Sequence, residues 1–147
     1  MRNKIEKCLS REIAIEYKAC LYFSCLMAFD CAYLLYRKVY SVQILQMWEM
    51  ILTAYFIGYL QVYVLRNFDE SEQFGKWEIF ASLLCTGIYT AASLVFEWFD
   101  RNLPASILFF GFVLLCYVCV YLCNKIKREI DTKHLNHLLE DYKKTGM

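Results

Sequence analysis

Four long apolar runs alternate with short polar segments. The first extends from about Tyr17 to Tyr36 and is interrupted by Asp30; the second, Val42 to Leu65, is interrupted by Glu49. The third, Trp77 to Phe99, carries Glu97 near its end, and the fourth, Leu103 to Cys123, holds no charge. Each run meets the roughly 20 residues that an α-helix needs to cross a hydrocarbon core. Alternation of the kind a β-barrel requires is absent, and in so short a chain only helices can pair every backbone N–H and C=O internally. The expected fold is therefore all-α: a polytopic membrane protein with four transmembrane helices (17–36, 42–65, 77–99 and 103–123) in a single domain over 1–147. The loops Arg37–Ser41, Arg66–Lys76 and Asp100–Asn102 are short, which forces neighbouring spans to run antiparallel.

The ends carry patterns of their own. Ile5, Leu9 and Ile13 recur at helical spacing among basic residues, as in a helix lying in the membrane interface or extending the first span inward. In the tail, 124–147, Ile126 and Ile130 form one face, and Leu135, Leu138, Leu139 and Tyr142 another, rotated by well over a quarter turn. That change of face predicts a break near Asp131 and Thr132, with either residue capping a second helix. Short cytoplasmic helices are thus expected at both ends.

Composition supports a lipid setting. The chain is 59% hydrophobic and 18% aromatic, with only 1 proline and 5 glycines, against about 45–50% apolar content in a soluble domain. Net charge is +1 and selects no partner, but its distribution sets an orientation. Thirteen Lys and Arg fall in the N-terminal flank (Lys18 included), the middle loop and the tail, and only Arg37, Lys38 and Arg101 on the other side. The positive-inside rule puts both ends in the cytoplasm, with multi-pass insertion in the cell membrane. No small-x-small cleavage site follows a short apolar run, so the N-terminus is expected to be retained. Tyr33, Tyr36, Tyr40, Trp98 and Phe99 would form the outer aromatic belt, and Tyr17, Tyr63 and Trp77 the inner one.

Eight cysteines would suggest disulfides in a small secreted chain. Here seven lie in apolar runs, where thiols behave as small hydrophobes, and only Cys31 falls in the outer half. Cys116 and Cys119 form a C-x-x-C inside an apolar helix without the context of a redox motif. His134 and His137 stand at i, i+3 with no thiol or carboxylate obviously completing a metal site. No cofactor, metal or catalytic residue is expected, and no direct nucleic-acid binding.

The sharpest chemical feature is the set of intramembrane carboxylates, Asp30, Glu49 and Glu97, since an ionisable residue in a span is a functional hypothesis by default. Asp30 lies about six residues before the end of its span and Glu49 about seven after the start of its own. Both then sit roughly 10 Å below the outer surface at 1.5 Å per residue. With Glu97 they would converge on one outward cavity near Arg37, Lys38 and Arg101, suited to a cation, a proton or a basic peptide; pairing or protonation in place is the bland alternative. In the third span Ser82, Thr86, Thr90 and Ser93, beside Gly87 and Ala91, predict close helix packing at the centre of the bundle, or a homo-oligomer through this span.

The segment Gln46-Met47-Trp48-Glu49-Met50, the Trp98-Phe99 pair closing span three, the basic run Lys125 to Arg128 and the tail Leu135-Asn136-His137-Leu138-Leu139-Glu140-Asp141-Tyr142-Lys143 resemble an uncharacterised family of small bacterial four-span membrane proteins, defined by a domain of unknown function. The resemblance covers nearly the whole chain. Such proteins are often encoded beside LytTR-type DNA-binding regulators, and in some systems the membrane protein restrains its regulator. The resemblance implies a non-enzymatic membrane-side regulator that binds a LytTR-type cytoplasmic partner through Leu135, Leu138, Leu139 and Tyr142. It carries over no catalytic residues. The alternative is a small transporter or accessory subunit using Asp30 and Glu49.

Overall fold

The computed structural model describes residues 2–146 and consists of helices joined by short loops. Helix α1 spans Arg2–Tyr36, α2 Ile44–Tyr59, α3 Lys76–Val95 and α4 Leu103–Thr145. The 16 residues of α2 pass directly into a π-helical turn, Leu60–Val64, and a short 3-10 helix, Phe68–Glu70, lies in the loop before α3. Three helices, α1, α3 and α4, are long and apolar enough to cross a membrane.

Local chemistry sets the boundaries. Lys38 ends α1 in the left-handed region (φ 58°), with Val39 N–H bonded to Leu34 C=O and Lys38 N–H to Leu35 C=O. This is the Schellman pattern made with lysine in place of glycine. Glu97 (φ 57°) follows α3 in the same way, with Trp98 N–H reaching back to Ser93 C=O. At the start of α3, Glu78 turns back to accept from the Gly75 N–H at 2.9 Å and from Ser71 Oγ at 3.1 Å. Pro104, in the first turn of α4, fits where no backbone donor is needed.

The four helices pack in a ring, α1 with α2, α3 with α4, and the two hairpins against each other. Buried apolar residues from all four, including Leu26, Met50, Ile57, Ala81, Phe109 and Val113, form the core. The surface is more apolar than that of a water-soluble bundle, and the core takes in polar groups as well. Lys18, Asp30, Gln61, Asp69, Thr86 and Ser93 are buried, whereas Leu45, Leu52, Phe56, Ile107, Leu108 and Leu115 are exposed. An apolar outer surface of this extent fits a lipid solvent.

Several expectations are corrected. The N-terminal segment takes the second of its two expected forms, extending α1, whereas the tail is not a separate short helix but a continuation of α4. No break occurs at Asp131 and Thr132: neither Gly nor Pro interrupts the run, and Thr132 Oγ donates back to Arg128 C=O at 2.8 Å instead of capping a new helix. The third helix stops at Val95, and Trp98 and Phe99 fold inward, 5% and 1% exposed, rather than joining an interfacial belt. No helix is central in the ring. On α3, Ser82, Thr86 and Ser93 face the core, but Ala91 is exposed and a Cβ on Gly87 would meet nothing within 4 Å. A glycine at a helix–helix contact is found instead on α2, where a Cβ on Gly58 would lie 3.5 Å from Ile15 of α1.

Candidate ligand-binding site

The end of the bundle opposite the chain termini, the far end, is formed by the Arg37–Gln43 loop, the start of α2 and the Phe96–Asn102 loop. Here the reversal after α3 drives Trp98 and Phe99 into the bundle. Phe99 packs edge-on to Phe29 and Tyr33, with centroids 5.2 Å apart in both cases, and Trp98 stands perpendicular to Phe109. Glu97, Asp100 and Arg101 all adopt positive φ to make this turn, a local strain that the buried aromatics hold in place.

Above the aromatics lies a cavity of about 430 Å³ whose lining includes Tyr33, Arg37, Gln46, Glu49, Glu97, Trp98 and Asp100. Of the three carboxylates singled out in the sequence, Glu49 and Glu97 therefore share one cavity. Asp30 sits behind its wall, fully buried, and is reached through Gln46, whose Nε2 donates to Asp30 Oδ1 at 2.8 Å and to Trp98 C=O at 3.3 Å. Asp30 Oδ2 has no hydrogen-bond partner within the protein. Glu49 Oε2 accepts from the Trp98 indole N–H at 3.0 Å.

Two of the basic residues expected there, Arg37 and Arg101, are present but ion-paired. Arg37 pairs with Asp100 at 2.6 Å and Arg101 with Glu97 at 2.6 Å, all four partly exposed. Asp30 and Glu49 thus meet only neutral donors, an amide and an indole. A carboxylate held this way retains acceptor capacity for a proton or a cation. Gln46 and Trp98, which organise the site, carried no chemical signal of their own in the sequence; their proximity to two carboxylates follows only from the loop reversal.

The terminal end has a different construction that sequence reasoning missed. The loop after α2 turns through two consecutive left-handed residues, Arg66 and Asn67, and brings Phe68 and Asp69 inward against α3 and α4, with the Asp69 side chain reaching α1. Lys18, read in the sequence as a basic flank residue, is 2% exposed and donates to Asp69, itself 1% exposed. Tyr22 donates to the other Asp69 oxygen at 3.2 Å, and Asn124 Nδ2 donates to the Asp69 C=O at 3.0 Å. Arg128 secures the same loop through the carbonyls of Glu70 and Ser71. The available clue was a lone lysine inside a run of apolar residues at i, i+4 from Tyr22, opposite the acidic pair Asp69-Glu70.

Beyond Arg128 the α4 extension stands clear of the bundle. Leu135, Leu138, Leu139 and Tyr142 are all more than half exposed. His137 pairs with Asp141 one turn on, at 3.0 Å. Among the described residues no group of three or more His, Cys, Asp or Glu is assembled for a metal ion, and all eight cysteines are unpaired.

Fold and surface define an all-helical protein with apolar helices suited to a membrane. Comparison with family models, curated proteins and solved structures finds no match for this chain.

Proposed function

We propose that the chain is a non-enzymatic, four-span protein of the cell membrane, with both ends cytoplasmic, that binds or restrains a cytoplasmic partner through the α4 extension. The observation that carries this reading is the form of α4. Its 43 residues extend about 65 Å at 1.5 Å per residue, roughly twice the hydrocarbon thickness of about 30 Å. The surplus projects as one stiff arm with its apolar side chains uncovered. A fourth span is supported by the unbroken run of α2 and its π-turn, about 30 Å of helix with an apolar outer surface. The bias of Lys and Arg toward the terminal end survives the withdrawal of Lys18 into its buried pair, and supports the cytoplasmic orientation.

The family resemblance supplies the class of partner, a LytTR-type regulator, and the arm supplies its contact. Deleting residues 131–147 should abolish recovery of such a partner with the membrane fraction while leaving the bundle inserted. Undiminished recovery removes this arm as the contact.

A second reading, a small transporter or accessory subunit, is favoured by Asp30 and Glu49 meeting only neutral donors beside a cavity. Its test is proton or cation flux in proteoliposomes, with Asp30→Asn and Glu49→Gln as variants. It predicts flux that both variants diminish; a parent protein that carries no flux ends the idea.

A further inference from the structure

The least satisfied polar side chain in the bundle is Gln61. It is fully buried, and neither Oε1 nor Nε2 has a hydrogen-bond partner within the protein. The Tyr22 hydroxyl donates to Asp69 at 3.2 Å and keeps its acceptor capacity. Two further orphaned atoms are the hydroxyls of Tyr89 and Tyr117, which share the core cluster with Tyr22. The Tyr22 ring is 4.7 Å from that of Tyr117 and 6.4 Å from that of Tyr89, centroid to centroid.

A primary amide offers two donor hydrogens and an acceptor oxygen with two lone pairs. Leaving all of them unmade, next to two unmade hydroxyl bonds, is rare in a native interior and calls for a ligand. The backbone adds an independent sign. Gln61 is the buried residue of the π-helical turn Leu60–Val64, which Leu65 N–H closes onto Leu60 C=O at 3.0 Å before Asn67 N–H, in the loop, reaches Gln61 C=O at 2.9 Å. This π-turn closes the C-terminal end of α2, and it turns an amide, not an apolar side chain, into the core.

We infer that Gln61, Tyr22, Tyr89 and Tyr117 form an internal binding site for water, holding a small group of ordered molecules inside the bundle. Charge decides against an ion. Lys18 and Asp69 already neutralise each other, and every other group in the cluster is neutral. Chemistry favours water, because the amide and the hydroxyls together offer both donors and acceptors. A buried water makes 2–4 hydrogen bonds, a number that the amide and three hydroxyls supply. The waters extend the Lys18–Asp69 cluster from the terminal end toward mid-bundle. They stop below buried Leu26 and Met50, which separate Tyr22 and Gln61 from Asp30 along α1 and α2.

The test is water-to-protein magnetisation transfer by solid-state NMR on the full chain in lipid bilayers. The Gln61 side-chain amide should receive magnetisation from water as rapidly as amides of the exposed 71–75 loop, while the Leu26 and Met50 side chains receive none at the same mixing time. A Gln61 amide as silent as Leu26 overturns the inference. Gln61→Met, of similar volume, gives a second reading by thermal unfolding in detergent. Loss of a hydrated amide leaves the midpoint unchanged or lowers it. A raised midpoint, the result of removing two orphaned groups from a dry site, overturns the inference as well.

Discussion

At the terminal end the carboxylate that enters the bundle, Asp69, meets a lysine; at the far end the one that enters, Asp30, meets an amide. Both ends are closed by a strained loop that turns aromatic side chains inward, Phe68 at one and Trp98 with Phe99 at the other. Asp69 is bound on both oxygens, by Lys18 and Tyr22, and its backbone is held from α4 by Asn124. Asp30 is bound on one oxygen only, beside a cavity that also holds Glu49 and Glu97. A buried charge with all its valences filled specifies how elements meet; one with a valence left over is available to something else. The terminal end is therefore clamped by a filled ion pair, and the far end, with an oxygen of Asp30 unpaired, is the one we propose as receptive.

The comparison predicts a graded set of outcomes in detergent unfolding experiments. The largest belongs to Lys18→Met, which leaves Asp69 buried without its counter-ion and should cost about 3–5 kcal/mol. Adding Asp69→Leu should restore most of that loss. A single variant costing less than about 1 kcal/mol, the ordinary value of an exposed pair, would erase the distinction between the ends. Next comes Trp98→Phe, which keeps a ring in the far-end plug but removes the indole donor to Glu49. A loss of about 1.5–3 kcal/mol is expected, as for a hydrogen bond to a charged group.

Backbone strain gives a smaller effect of opposite sign. Arg66 and Arg101 hold φ of 53° and 54°, a region that costs a side-chain-bearing residue about 1–2 kcal/mol. Arg66→Gly should raise stability by about 1 kcal/mol, the gain being offset in part by the unfolded-state freedom of glycine. Arg101→Gly should gain less, because it also gives up the pair with Glu97. The smallest change is expected for Asp30→Asn, which retains a polar group of the same shape behind Gln46. If this variant destabilises as much as Lys18→Met, Asp30 is a structural residue like Asp69 and the far end loses its claim to be receptive.

What could be read in the sequence, and what could not, divides along the same physical line. Properties of single helices were legible. Apolar length located the helices, and the depths of Asp30 and Glu49, taken from helical rise alone, put them near a common level, where Gln46 and Trp98 link them. Properties created by loops were not. Lys18 and Asp69 are 51 residues apart and meet only because the 65–71 loop folds back into the bundle. Trp98 has the same composition as an interfacial belt residue and differs only in the left-handed turn before it. The π-turn at Gln61 ends α2 and leaves no trace in the hydrophobic pattern. The rotation of the apolar face at Asp131 misled in the other direction, since a helix exposed on all sides can change face without breaking.

The account's central claim is that the bundle crosses the bilayer four times, with the clamped end inside and the receptive end outside. The most direct measurement is labelling of single cysteines, introduced into a cysteine-free chain, by a membrane-impermeant thiol reagent applied to intact cells. Tyr40→Cys and Asn102→Cys should label from outside, and Gln73→Cys only after lysis. Labelling of Gln73→Cys together with Tyr40→Cys on intact cells would put both ends of α2 on one side of the membrane and contradict the account.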